Sequence, residues 1–213
     1  EFDTGSALFQ TADEYERLVS NPIRDGEEMS KRQMVAAETQ RGAIRLSQVN
    51  PESDPIDSVG GVSFRHLSML AQIKSSDEDV WSSLNRSGHI EGDPSDSLRV
   101  RLARMRSWIG GPHFPEDAKL EIRSEIRDDA RAEIGEDGIA FLRKLSDLLS
   151  ECEWTDAGIG ESISKACDST GVSRKEGFAS IYWAIIGRRH GPKASSLLFE
   201  IERGDVVSLL GSS

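Results

Sequence analysis

The chain has 213 residues, 30% of them charged and 6% aromatic, with a formal net charge of −11. That length supports one large core or two small ones. Bulk acidity argues against indiscriminate nucleic-acid binding, which needs a positive field, and the apolar run Ile181–Ile186 is far too short to span a bilayer.

In chain order, Glu1–Gln10 shows no basic region followed by an apolar core, so no secretory signal is expected there. The first residue is Glu rather than Met, which fits a piece of a longer protein. A helix is predicted to open at Ser30, within Glu27–Gln33. The stretch Asn50–Gly61 carries two prolines, a glycine pair and few apolar residues, and reads as a linker. Beyond it, Leu98, Leu102, Met105 and Ile109 recur at helical spacing. Ala118, Ile122, Ile126, Ala130 and Ile134 recur every fourth residue and predict another helix. A second break is expected near Ala132–Gly138. Ile159, Ile163, Ala166 and Cys167 form a further stripe. Phe178, Ile181, Tyr182, Ile185 and Ile186 form the stripe of a helix that should run from Ser173 to about His190.

Ser63, Ser76, Ser95, Thr155 and Ser173 each precede such a run and are the expected N-caps, with capping-box spacing at Ser173–Glu176. Gly88, Gly110-Gly111, Gly171 and Gly191 are the expected stops. No segment alternates over strand length. The fold class read from the chain is all-α, a helical bundle of roughly ten helices.

The cations are unevenly placed. Leu98–Ile109 carries Arg99, Arg101, Arg104 and Arg106 with no acid, and Ser173–Lys193 carries five cations against Glu176. These 33 residues hold +8, leaving −19 on the other 180. Segregation of this kind suits a localised anion-binding surface. Around Gly191-Pro192 the sequence places Arg188, Arg189 and His190 at the predicted end of one helix. Lys193, Ser195 and Ser196 stand at the start of the next, with Pro192 suited to its first position. Free N–H groups at a helix start attract phosphate. Cations in a last turn also complement the helix dipole, at about 0.3–1 kcal/mol each, and the arginines of Leu98–Ile109 have Asp93, Asp96, Glu116 and Asp117 nearby in sequence. Both readings stand on the residues alone.

Chemistry is harder to find. There is no Gly-rich phosphate loop and no Gly-x-Ser-x-Gly. Paired carboxylates such as Glu27-Glu28 and Asp128-Asp129 sit among other charges and read as solvation, since a general acid needs burial or a partner. His66, His89, His113 and His190 lack ligand spacing, so no metal is expected. Cys152 and Cys167 give no disulfide framework, and a reducing compartment fits best. No catalytic residue and no cofactor is assigned to this segment.

Several stretches carry a resemblance. Glu1–Gly5 ("EFDTG"), Asp13–Leu18 ("DEYERL"), Val62–Ile73 ("VSFRHLSMLAQI") and Ser180–Leu210 resemble, in order and spacing, the region after the catalytic domain of class I lysyl-tRNA synthetases. Met29-Ser30-Lys31 matches only part of the Lys-Met-Ser-Lys-Ser loop of class I synthetases, and two glutamates precede it, so it is read as helix-start chemistry. The resemblance implies a helical stem-contact and linker region with the first part of a helical cage over 1–134. It implies an anticodon-binding subdomain of that α-helix cage over 135–213. It further implies tRNA as partner, a catalytic domain with its ATP site N-terminal in the same polypeptide, a cytoplasmic location with no membrane, and no lysine activation by this segment alone. Arg188, Arg189 and Lys193 are the foremost phosphate contacts on this reading. Arg65, His66, Arg101 and Arg104 follow, and Trp183, off the apolar stripe, is the stacking candidate. The alternative is a helical protein-interaction module whose arginines meet an acidic partner or the chain's own acids.

Overall fold

The computed structural model describes residues 6–20, 30–47 and 61–212, and among these it is helical with no strand. The ten α-helices are α1 (Ser6–Ser20), α2 (Lys31–Leu46), α3 (Phe64–Ile73), α4 (Asp77–Arg86), α5 (Asp96–Ile109), α6 (Asp128–Glu151), α7 (Asp156–Thr170), α8 (Arg174–Ile186), α9 (Ala194–Phe199) and α10 (Arg203–Gly211). Glu1–Gly5, Met29 and most of the Asn50–Gly61 stretch lie outside the described residues.

Capping chemistry sets the helix starts. Ser63, Ser76, Ser95, Thr155 and Ser173 each accept the backbone N–H three residues on, which satisfies a donor that the first turn leaves orphaned. Ser173–Glu176 closes a full capping box. So does Ser30–Gln33 at α2, where Ser30 and Lys31 of the Met-Ser-Lys tripeptide stand at a helix start.

Three expectations are corrected. Ala118–Ile134 is not one helix: a 3-10 turn at Glu116–Ala118 is followed by non-helical chain up to Arg127. There the Arg123 N–H leaves any local helix to bond the Ile185 carbonyl at 2.8 Å. The last long helix stops at Ile186, capped by left-handed Gly187 (φ 63), not at Gly191. Pro192 accordingly lies outside α9, whose N-cap is Lys193. Finally, Phe178 is 38% exposed. The buried face of α8 is Gly177, Ser180, Ile181, Ala184, Ile185 and Ile186.

The chain forms two compact units. The first comprises Glu1–Gln72 and Ser76–Lys119, the second Ile73–Ser75 and Leu120–Ser213. In the first, Leu67, Leu70, Val80, Leu84, Leu98 and Leu102 are the buried core. Phe9, Phe64, Trp108 and Phe114 pack beside it in edge-on and tilted pairs, with centroids 4.7–5.8 Å apart. Arg106 Nε donates to Asp77 Oδ1 at 2.7 Å and its Nη1 to the Ala71 carbonyl at 3.1 Å. One side chain thereby ties α5 to α4 and α3.

In the second unit α6 is the central helix, packed by α7, α8 and α10. Its buried side is Phe141, Leu142, Leu145 and Leu149. Truncating Phe141 to Ala would cost about 3–5 kcal/mol. The break expected near Ala132–Gly138 appears as Gly135 (φ 69, ψ 175), inside α6. Lys74, the middle of the outlying Ile73–Ser75 segment, donates to the Glu200 carbonyl at 2.8 Å and lies 3.1 Å from its fully buried carboxylate. Cys152 and Cys167 are both free thiols.

Candidate nucleic-acid interface

The residues singled out from the sequence fall in both units. In the first, Arg65 Nε donates to Asp13 at 2.7 Å, and its guanidinium lies 5.2 Å from the centre of the Phe9 ring. His66 stacks on His89 with centroids 4.5 Å apart and an interplanar angle of 14°. Arg101 donates to the Val62 carbonyl at 3.3 Å and lies 3.6 Å from Glu16. Glu16 also accepts the Phe64 N–H at 2.5 Å, at the start of α3. Burial pushes the Glu16 carboxyl above its ordinary range, against the opposing pull of that N–H and of Arg101. Arg65 and Arg101 thus brace the first unit. Arg104 is exposed at the rim of a groove of about 300 Å³ lined by Leu8, Phe64, Leu67, Met105 and Trp108.

Sequence reading passed over α2. It carries Lys31, Arg32, Arg41 and Arg45 against Glu38, all exposed. The signal was a local charge of +3, smaller than in the two segments that stood out.

In the second unit, Arg188, Arg189 and His190 do not form the last turn of α8. They form a loop between Gly187 and Gly191. At one end, a Cβ on Gly187 would coincide with the Arg123 guanidinium. At the other, a Cβ on Gly191 would come within 2.9 Å of the Tyr182 ring, and the Tyr182 hydroxyl donates to the Pro192 carbonyl at 2.6 Å. Burial pushes the Tyr182 phenol upward, so it remains a donor at neutral pH. Arg188 is half-buried, while Arg189 and His190 are exposed.

Lys193 does not stand with them. Its Nζ donates to Asp156 Oδ1 at 2.5 Å. The Ser195 and Ser196 hydroxyls donate to the same carboxylate at 3.1 and 2.5 Å. Asp156, the first residue of α7, therefore sits at the start of α9, where sequence spacing suggested a phosphate. Burial raises the Asp156 carboxyl, but these bonds outweigh it and hold it below the ordinary aspartate value of 3.8.

Arg189 instead shares a cleft of about 560 Å³ with Trp183. Lys175 also lines it, and Glu133, Glu136, Asp137 and Glu176 complete the charged lining. The Gly135 break forms one wall. Trp183 is half-buried. Glu176 is engaged by the Ser173 hydroxyl and N–H, which hold its carboxyl below the ordinary range. The cleft thus combines an indole, two cations and four carboxylates, side-chain types that can stack on a base, meet a phosphate and accept from base N–H groups. Of the predicted residues, Trp183 and Arg189 are brought together, and Lys193 is directed to Asp156. Glu133, Glu136 and Asp137 are not singled out by the sequence, because only the folding of α6 against α8 brings them to Trp183; Lys175 shares α8 with Trp183.

A family model described as an anticodon binding domain matches residues 102–208. The lysine–tRNA ligase of Thermoplasma volcanium is 24% identical over 214 residues, covering 100% of this chain and 39% of its own length. That of Pyrococcus horikoshii is 25% identical over 172 residues, covering 78% of this chain and 32% of its own. That of Methanopyrus kandleri is 27% identical over 195 residues, with 83% and 34% covered. The chain spans less than two-fifths of the length of these curated relatives.

Proposed function

Because the chain belongs to the anticodon-binding domain family, we propose that it is the tRNA-binding, anticodon-recognising portion of a lysine–tRNA ligase. The observation that carries this reading is the shared cleft of Trp183, Arg189 and Lys175, which lies within the matched residues. In it the indole face stacks an unpaired base, the two cations meet flanking phosphates, and the carboxylates receive base N–H groups. Exposed Arg104 and the cations of α2 serve the phosphates of the tRNA body.

The relatives are longer, and their name supplies the rest of the proposal. Lysine activation with ATP belongs to a catalytic portion in the same polypeptide, outside these helices, and the working place is the cytoplasm. ATP–pyrophosphate exchange with lysine should be nil for this chain alone. Measurable exchange would transfer catalysis to these residues and overturn the division of labour.

One observation favours a second reading. Met34, Val35 and Leu46 on α2 are 56%, 59% and 73% exposed, which suits docking to a protein. Titration with salt separates the two readings. Binding through phosphates weakens steeply with salt, in proportion to the contacts made, whereas an apolar helix interface does not. The primary test is a salt series with a tRNA-Lys transcript and a transcript of altered anticodon. Salt-sensitive binding that prefers the lysine anticodon is expected; absence of binding at low salt rejects the proposal.

A further inference from the structure

The loop that presents Arg189 is held by a residue far away in sequence. α8 ends at Gly187 because that residue takes φ 63, a conformation that side-chain-bearing residues resist. The space a Gly187 side chain would need is filled by the Arg123 guanidinium. Arg123 is attached at two further points. Its backbone N–H donates to the Ile185 carbonyl at 2.8 Å, satisfying an acceptor that the end of a helix leaves orphaned. Its Nη1 lies 3.9 Å from Asp129. The side chain is only 14% exposed, and Nη1 is fully buried without a hydrogen bond. The guanidinium therefore faces the end of α8, where its charge complements the helix dipole.

We propose that Arg123 is a positioning residue. It locks the Gly187 turn from below, so that Arg188 and Arg189 leave α8 in a fixed direction, with Arg189 on the cleft it shares with Trp183. The inference rests on the reading of that cleft as an RNA contact. The far end of the loop has its own anchor in Tyr182 and Pro192, so losing Arg123 frees only the near end. The freed residues must then be ordered during binding, an entropic cost that weakens affinity without removing a phosphate contact.

The test uses the 213-residue chain and a tRNA-Lys transcript, with the variants measured side by side over a salt series. Arg123→Ala is expected to weaken binding roughly tenfold with the salt slope unchanged. Arg189→Ala is expected to weaken binding and flatten the slope. Gly187→Ala is expected to weaken binding in the native background and less in the Arg123→Ala background, where the clash is relieved and only the strain of φ 63 remains. Should Arg123→Ala lower the thermal midpoint, Arg123→Met keeps the aliphatic stem and repeats the comparison.

A flattened slope with Arg123→Ala makes Arg123 itself a phosphate contact and overturns the positioning role. Additive effects of Gly187→Ala and Arg123→Ala do the same, as does full affinity with Arg123→Ala while Arg189→Ala is impaired; in that last case the cleft reading survives. Full affinity in Arg188→Ala/Arg189→Ala, the control, rejects the cleft reading instead.

Discussion

Lys193 donates to Asp156 at 2.5 Å, so the carboxylate that opens α7 also occupies the start of α9. Two serine hydroxyls of α9 complete the arrangement. The cluster pins α9 to α7 with internal charge. Asp156→Ala should cost about 1–2 kcal/mol, because three donors lose an acceptor in a partly exposed place. The sign with pH follows from the direction of the shift. The folded carboxyl sits below its unfolded value of 3.8, so its stabilisation is present above that pH and is lost as pH falls through the lower, folded value. Denaturant melts at a series of pH values should show the variant's deficit at neutral pH and its disappearance in acid. A deficit that persists unchanged in acid would remove the charge from the explanation.

Gly177 marks a close approach of α8 to α7 and α6. A Cβ there would lie 2.9 Å from the Cys167 sulfur and 3.1 Å from the Phe141 ring, both buried. Gly177→Ala should destabilise by about 1–3 kcal/mol through overpacking, although alanine is the better helix former. A raised thermal midpoint would show that α8 can move away from α6 without loss.

Gly135 carries a different constraint. With φ 69 and ψ 175 it occupies a region essentially restricted to glycine, and a side chain there costs about 1–3 kcal/mol. Nothing lies within 4 Å of its built Cβ, so Gly135→Ala reports backbone strain alone. Because Gly135 also walls the cleft, the variant should weaken tRNA binding as well. Native affinity with lowered stability would separate the break in α6 from the binding site.

Much of the fold was legible locally. The five caps at Ser63, Ser76, Ser95, Thr155 and Ser173 depend on residues three positions apart, and each was found from spacing. Failures arose where a distant partner decides. Gly187 and Gly191 are equally good stops by composition. What selects Gly187 is the Arg123 guanidinium packed against it. The fourfold recurrence from Ala118 to Ile134 looked helical, yet the Arg123 N–H is committed to Ile185. The same holds at the site. Trp183 and Arg189 are visible as an aromatic and a cation, but Asp156 cannot be paired with Lys193, nor Glu133 placed in one cleft with Trp183, before the helices are assembled.

Trp183 lines the cleft, and stacking on an indole is worth about 1–3 kcal/mol per base. Trp183→Ala should therefore weaken tRNA binding by roughly ten- to a hundredfold, and Trp183→Phe should restore part of it. Fluorescence of the native indole on addition of tRNA gives an independent readout. No change in emission at saturation, with affinity intact in both variants, would place the base elsewhere.

The central claim is that the cleft holding Trp183, Arg189 and Lys175 binds the tRNA of lysine. It is tested most directly by the dissociation constant of a tRNA-Lys transcript against salt concentration, for the native chain and for Arg189→Ala. The expected result is a linear fall of log affinity with log salt, with a slope shallower by about one contact in the variant. Equal slopes for the two proteins, or affinity indifferent to salt, would contradict it.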